Sequence, residues 1–350
     1  MRVLVAMSGG VDSSVAAALL VEAGHDVVGA TLKLWGGESD SGCCSVADVD
    51  DARRVAQQLG IDHHVFNLTD EFDAHVVAPY VQAHARGRTP NPCIECNRSI
   101  KFDRLLARAS RMGFERLATG HHARVTGDGS LRLRRGADVD KDQSYVLSML
   151  GQDELARVVF PVGEMTKSDV RARAVRLGLR TADKPDSQDV CFIGSTEGRA
   201  GFLSRQLEFH AADVVNGAGD PVGTVDAVEL VTVGQRKGMG HGTDGARRYV
   251  VAVDVPSRRV TVGSAAEAVT SAIALPGSTL TWVDRPLGDG ERAVAQVSAH
   301  GRPAPCSLAR TDDGLMVEFD APQRPVAAGQ TVALYDIVEQ DAVVGAGIAA

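Results

Sequence analysis

Aromatic residues are scarce: two Trp, four Tyr and nine Phe make up 4% of 350 residues. That is too few to hold nucleic acid on an extended stacking platform. No apolar run approaches membrane-spanning length, which excludes a transmembrane helix. The chain enters its first apolar run at once, leaving no room for a signal or transit peptide, so a cytoplasmic location is expected. Cysteines number only six: Cys43, Cys44, Cys93, Cys96, Cys191 and Cys306. In a reducing compartment these would be catalytic, metal-binding or buried rather than structurally bridged. Cations are outnumbered, 37 Lys and Arg against 45 Asp and Glu, for a net charge of −8. Taken alone, that balance argues against a nucleic-acid partner. Internal repeats and low-complexity segments are also missing. What is present is an ordinary globular composition, 44% hydrophobic and 23% charged, long enough for two or three domains with real cores.

The most informative stretch is Ser8-Gly9-Gly10-Val11-Asp12-Ser13-Ser14, directly after the apolar run Val3 to Met7. The run reads as a buried strand and Val15 to Ala23 as the helix that follows. Small residues between them let the backbone approach a phosphate closely, and successive N–H groups at a helix start make an anion-binding nest. No Gly-Lys-Ser/Thr follows the glycines, so the loop is not of the Walker type. The pattern is similar to the SGGxDS pyrophosphate loop of enzymes that split ATP between its α- and β-phosphates.

Strand and helix signals alternate along the first part: Val27 to Leu34, the helical period of Val46 to Leu59, His64 to Leu68, the helix Ile100 to Met112, then Arg116 to Thr119. Such alternation predicts a parallel sheet covered by helices on both faces, with the glycine loop at a strand's carboxyl end. After about Arg205 short Val-rich runs between turns take over, among them Asp213 to Val215, Val228 to Val233, Tyr249 to Val255 and Arg259 to Val262. The expected division is 1–205 as an α/β ATP-binding catalytic domain, 206–270 as a small central β domain and 271–350 as a C-terminal β-barrel.

Thr89 to Asn97 places Cys93 and Cys96 in a CxxC after a Pro-stiffened turn and before a helix. A thiol there has its thiolate favoured by the helix dipole and by nearby Arg98 and Lys101. Half a zinc site and a plain redox pair are the other readings, although no second CxxC exists to complete a zinc site. Cys191 lies far away, and by itself reads as a buried strand cysteine. The helix after Cys96 carries Arg98, Lys101, Arg104, Arg108 and Arg111 at three- and four-residue spacing, with no acid expected on that face. A second run, Lys167, Arg171, Arg173, Arg176 and Arg180, rides on a helix from Ser168 to Leu177. Both faces suit a phosphate backbone despite the acidic total.

Taken together, SGGVDSS, Arg88 to Asn97 (RTPNPCIECN), Ala118 to His121 (ATGH), Lys141 to Tyr145 (KDQSY), Asp186 to Gly194, Gly234 to Gly238 (GQRKG) and Ala328-Gly329-Gln330 resemble the tRNA-specific 2-thiouridylase family, within the ATP-pyrophosphatase superfamily. The resemblance covers almost the whole chain. It implies that Ala6, Met7, Ser8, Gly9, Gly10, Val11, Asp12 and Ser13 hold ATP, with Leu32 and Gly120 on the adenine side. It implies Cys96 as the nucleophilic cysteine and Cys191 as the carrier of a persulfide. His121, Asp142, Gln143, Ser144 and Gln330 would contact tRNA, and no resident metal ligand is assigned.

The implied reaction is 2-thiolation of the wobble uridine. ATP with Mg²⁺ adenylates the uracil oxygen and pyrophosphate departs. Sulfur from the Cys191 persulfide replaces AMP, and Cys96 and Cys191 end as a disulfide that a reductant reopens. The implied partners are tRNAs reading Glu, Gln and Lys codons and a sulfur donor such as a cysteine desulfurase or relay protein. Many members have Asp where this chain has Cys93. The thiol would take the acid–base role only with a suitable pKa, or Cys93, Cys96 and Cys191 would hold an iron–sulfur cluster. Two other readings stay open: a small-metabolite ligase of the same superfamily, which needs no cysteine pair, and a non-catalytic RNA-binding or sulfur-carrier protein.

Overall fold

The computed structural model describes residues 1–35, 46–186, 190–194, 196–242 and 245–350. Cys43 and Cys44 lie outside the described residues. The chain begins with β1 (Arg2–Ala6), α1 (Val11–Glu22), β2 (Asp26–Lys33), α2 (Val46–Leu59) and β3 (Asp62–Asn67). Helical segments over 69–85 and 92–111 precede β4 (Arg116–Thr119), the hairpin β5 (Ala123–Thr126) and β6 (Arg132–Arg135), and β7 (Val158–Val159).

Strands β1 to β4 and β7 form a parallel sheet in the order β3-β2-β1-β4-β7. Both faces are dry, as the near-continuous apolar sequence of β1 requires. Side chains alternate across the sheet with the strand period of two. Val3, Val5 and Met7 pack with α1, α2 and the helix Lys167–Arg176 through Val15, Val55 and Val170. Leu4 and Leu117 face the opposite cluster of Phe72, Ile100, Phe102 and Leu105. Strand order reverses between β1 and β4, so the loops leaving these two strands flank a crevice at their carboxyl ends.

Strands β8 (Ala212–Val215), β9 (Pro221–Val225), β10 (Tyr249–Asp254) and β11 (Arg259–Gly263) make a four-stranded sheet around Val214, Val228, Val250 and Val260. Val228–Leu230 is a 3₁₀ turn rather than the start of a strand. Val228 packs in the core of that sheet, which the apolar run alone could not distinguish from strand packing. The remaining strands are β12 (Thr270–Pro276), β13 (Thr281–Trp282), β14 (Arg292–Gln296), β15 (Ala304–Thr311), β16 (Gly314–Gln323), β17 (Thr331–Asp336) and β18 (Ala342–Ile348). They form one antiparallel sheet in the order β12-β16-β15-β14-β17-β18-β6-β5, with β13 also on β18. The β5–β6 hairpin from the first half of the chain is therefore part of the last sheet, with Leu133 opposite Val343. Arg134 pairs with Asp341 at 2.7 Å and with Glu339, and Arg124 pairs with Asp341 at 3.0 Å.

Candidate active site

The glycine loop takes its shape from sequence. Gly9 has φ +73°, and a Cβ there would fall 2.3 Å from the Asp48 carbonyl oxygen, so only glycine fits. Ser13 Oγ accepts from the Ser8 N–H at 3.2 Å and donates to the Gly10 carbonyl at 3.1 Å. Ser14 Oγ donates to the same carbonyl at 2.8 Å. These bonds fix the turn before the first N–H groups of α1. Gly120, just after β4, lies so close that a Cβ would stand 2.5 Å from the Ser13 nitrogen. Ala6, Met7, Ser8, Gly9, Gly10, Val11, Asp12, Ser13 and Gly120 thus meet at the point where strand order reverses. Leu32 is buried on neighbouring β2.

Charge is concentrated at the lip of this loop. His122 Nε2 is 3.0 Å from Asp12 Oδ1, and Lys167 Nζ donates to Asp12 Oδ2 at 2.6 Å. The same ammonium is 2.8 Å from Asp186, which also pairs with Lys141 and Arg171 at 2.8 Å each. Burial pushes the Asp12 carboxyl upward, but the His122 and Lys167 hydrogen bonds outweigh it and hold the group below its ordinary value. Burial likewise opposes ionisation of Asp186, yet the bonds from Lys141 and Lys167 bring it down to about 2.

The contribution of Lys167 to this loop was hidden in sequence, where it counted as one cation of a helical face. That face does not offer five available charges. Lys167 and Arg171 are engaged as above, Arg173 pairs with Glu22, and Arg180 with Asp51 at 2.8 Å. The first cationic face is also not free of acids: Arg98 pairs with Glu95 at 2.8 Å and Arg104 lies 3.5 Å from Asp103. Arg108 covers the Phe66 ring at 4.8 Å. Five cations against two carboxylates still leave that stripe positive.

Asn91 caps the helix over 92–111, its Oδ1 accepting from the Cys93 N–H at 3.0 Å, with Pro92 in the first turn. Cys93 is exposed, whereas Cys96 is buried at the start of a π-helical segment, Cys96–Leu105. Such wide turns are frequent at functional sites. Cys191 is half-buried in a turn, not a strand, closed by the Ile193 N–H to the Val190 carbonyl at 2.9 Å. It packs against the same apolar cluster that contains Cys96. The neighbouring Phe192 is anchored there by Phe202, Tyr80 and Phe72 at 5.1, 5.5 and 5.7 Å between centroids. Cys306 is buried in the last sheet, where burial pushes its thiol up to about 11. Among the described residues no group of three or more His, Cys, Asp or Glu is gathered as a metal site.

His121 is buried, with Nδ1 2.6 Å from Thr119 Oγ1 and its ring 5.9 Å from both Phe102 and Phe160. Burial first, and then Lys101, push its pKa well below the ordinary histidine value, so the ring is neutral. Asp142 accepts from the Gly136 and Ser144 N–H groups at 3.0 Å and pairs with Arg135 at 2.7 Å. Ser144 Oγ lies 2.9 Å from the Tyr335 hydroxyl, and Gln143 Oε1 accepts from the His122 N–H at 2.8 Å. The side chains of 142–144 thus point inward and tie His122 to the last sheet. Gln330 is half-buried in a turn whose Ala328 carbonyl accepts from the Thr89 N–H at 2.8 Å. Arg88 donates to the Ala349 carbonyl at 2.9 Å, so this turn rests on the strap leading to Cys93 and Cys96.

Comparison with known proteins agrees with this layout. Residues 1–195 match the family described as tRNA methyl transferase HUP domain. Residues 200–264 match tRNA methyl transferase PRC-barrel domain, and 274–349 match Aminomethyltransferase beta-barrel domain. The chain is 47% identical over 343 residues to the tRNA-specific 2-thiouridylase MnmA of Mycobacterium avium (strain 104), covering 96% of this chain and 94% of that one. The protein of the same name from Mycolicibacterium gilvum (strain PYR-GCK) is 47% identical over 343 residues, covering 96% and 95%. That of Salinispora tropica is 45% identical over 344 residues, covering 95% and 94%.

Proposed function

The chain belongs to the tRNA-specific 2-thiouridylase family, and from that premise we infer that it replaces the oxygen at carbon 2 of the wobble uridine of tRNA with sulfur, at the expense of ATP. One observation carries the mechanistic reading. Asp186 is bonded to Lys167 at the lip of the glycine loop, and Cys191, only five residues onward, packs on the apolar cluster of Cys96. Five residues of fully extended chain span at most about 17 Å. That short connection and shared packing support the reading that the nucleotide loop and both thiols serve one base.

In the first half-reaction the uracil oxygen attacks the α-phosphorus of ATP, whose polyphosphate rests on residues 6–13. The bond to the β-phosphate breaks and pyrophosphate leaves beside the Lys167 ammonium; a bound Mg²⁺ would add to the neutralisation of its charge. Leu32 and Gly120 border the adenine. In the second, the terminal sulfur of the Cys191 persulfide attacks carbon 2 and AMP departs. The Cys96 thiolate then attacks the Cys191 sulfur, freeing the thiolated base and leaving a Cys96–Cys191 disulfide for a reductant to reopen. The base must leave its stack to enter such a site.

His121, Asp142, Gln143, Ser144 and Gln330 serve tRNA binding. Asp142 and Ser144 do so by fixing the surface from within, because their side chains are committed to Arg135 and Tyr335. The positive stripe on the helix over 92–111 supplies phosphate contacts. The tRNAs are those reading Glu, Gln and Lys codons, and the sulfur donor is a cysteine desulfurase or a relay protein. The setting is the cytoplasm, where thiols stay reduced. Domain limits fall near 205 and 270.

The test is to incubate anaerobically purified protein with unmodified tRNA, Mg-ATP and a sulfur donor, then digest the tRNA and measure 2-thiouridine by mass spectrometry. Thiouridine with matching AMP, lost in Cys96→Ser and Cys191→Ser while tRNA binding survives, is the expected result. No thiouridine despite bound tRNA and a competent donor would put a small-metabolite ligase in its place.

A further inference from the structure

The GQRKG segment in the central sheet has no part in the chemistry above, yet its structure accounts for all of it except two side chains. Gly234 and Gly238 both have φ +85°, a left-handed backbone suited to glycine. Gln235 staples the turn: its Oε1 accepts from the Thr232 N–H at 3.3 Å and its Nε2 donates to the Lys237 carbonyl at 3.0 Å. Main-chain bonds from Gly234 N–H to the Val250 carbonyl and from Val250 N–H to the Gln235 carbonyl, at 2.8 and 2.9 Å, fix the turn to β10. That leaves Arg236 and Lys237, both exposed. No carboxylate among the described residues pairs with either. Exposed His241 and Arg247 stand across a short bridge on the adjoining hairpin, and Arg247 is a further cation there.

The turn is also well placed. Thr232 Oγ1 lies 3.5 Å from Thr89 Oγ1 on the strap that leads to Cys93 and Cys96. A Cβ on Gly234 would stand 3.3 Å from Pro325 of the last sheet's connecting turn. Two exposed cations on a stapled turn, paired with no carboxylate among the described residues, are available to an external polyanion. Their loss of freedom on binding is small because the turn is already ordered.

We infer that Arg236 and Lys237, supported by Arg247, form a sequence-independent grip on the phosphate backbone of tRNA bound across the catalytic strap. This rests on the tRNA thiolation proposed above. Point charges against phosphate oxygens set affinity and salt dependence and read no bases.

The experiment compares the full-length chain with Arg236→Ala/Lys237→Ala and with Arg236→Lys, using an unmodified tRNA transcript over a range of salt. Thermal unfolding checks that each variant folds. Each phosphate contact adds roughly 0.7–0.9 to the slope of log affinity against log salt. The double alanine variant should therefore lose about 1.5 from that slope and bind more weakly, while Arg236→Lys keeps the parent slope. Alanine and parent chains with equal slopes and affinities, both thiolating tRNA, would overturn the grip and leave the activity standing. A parent chain that neither binds nor thiolates tRNA would overturn both.

Discussion

Lys167 and Asp12 meet at 2.6 Å at the lip of the glycine loop, with the ammonium only 12% exposed and braced from behind by Asp186. An ion pair in that position is a store of charge for the triphosphate. Asp12 is the carboxylate that would hold a Mg²⁺ accompanying ATP, and Lys167 would then be free to face the leaving pyrophosphate. Lys167→Ala should lower AMP and pyrophosphate formation by roughly 100- to 1,000-fold, the scale of losing one pre-oriented electrostatic donor. Lys167→Arg should recover part of it. Binding of tRNA should stay within about twofold of the parent, because the ammonium faces the nucleotide loop. Equal losses of turnover and tRNA affinity would show a merely structural pair.

Asp186 makes an acid-stability prediction. Burial works against its ionisation, but the bonds from Lys141 and Lys167 win and hold its carboxyl down to about 2. An unfolded Asp titrates near 3.9. A group with a depressed folded value contributes stability above its unfolded pKa and loses it as pH falls through the folded one. The melting-temperature advantage of the parent over Asp186→Asn should therefore be full above about pH 5 and shrink as pH falls from about 4 to about 2. A gap that stays constant over that range would show that the three cations do not stabilise the ionised form.

Gly120→Ala tests the close approach of two loops. The added Cβ would stand 2.5 Å from the Ser13 nitrogen and 2.7 Å from the Asp12 carbonyl carbon, both backbone atoms at the start of α1. Overpacking of this kind costs roughly 1–3 kcal/mol. Displacing the loop by a fraction of an ångström should also lower ATP-dependent turnover by up to about 100-fold. Calorimetry together with AMP formation checks both. An unchanged rate in a stable variant would show that Gly120 does not set the loop.

Much of the catalytic half was legible because its signals are local. The strand–glycine–helix order around Ser8 to Ser14, the period of Val46 to Leu59 and the continuous apolar run of β1 each depend on neighbours in sequence. What could not be read depends on distant partners. The helix bearing Lys167 shows its cations in one stripe, but their acids, Asp12, Glu22 and Asp51, come from α1 and α2. Spacing reveals the stripe and not its neutralisation. The Arg-rich β5–β6 hairpin has weak strand character, and it is ordered by Glu339 and Asp341 from the far end of the chain. Likewise, Asp142 and Ser144 stand in a short polar motif that gives no hint of an inward orientation. Tyr335, reached only through the fold, supplies that constraint.

The hairpin carries a further consequence for how the molecule is made. Leu133 leaves the ribosome roughly two hundred residues before Val343, the residue it will sit beside. Until then the outer edge of β6 has no strand to pair with, and no amount of local order in the first domain can supply one. Pairing across so long a stretch of chain is slow to close. A strand from the far end of the fold thus completes a hairpin begun in the first domain, and a chain that stopped short of β18 would leave the β6 edge open.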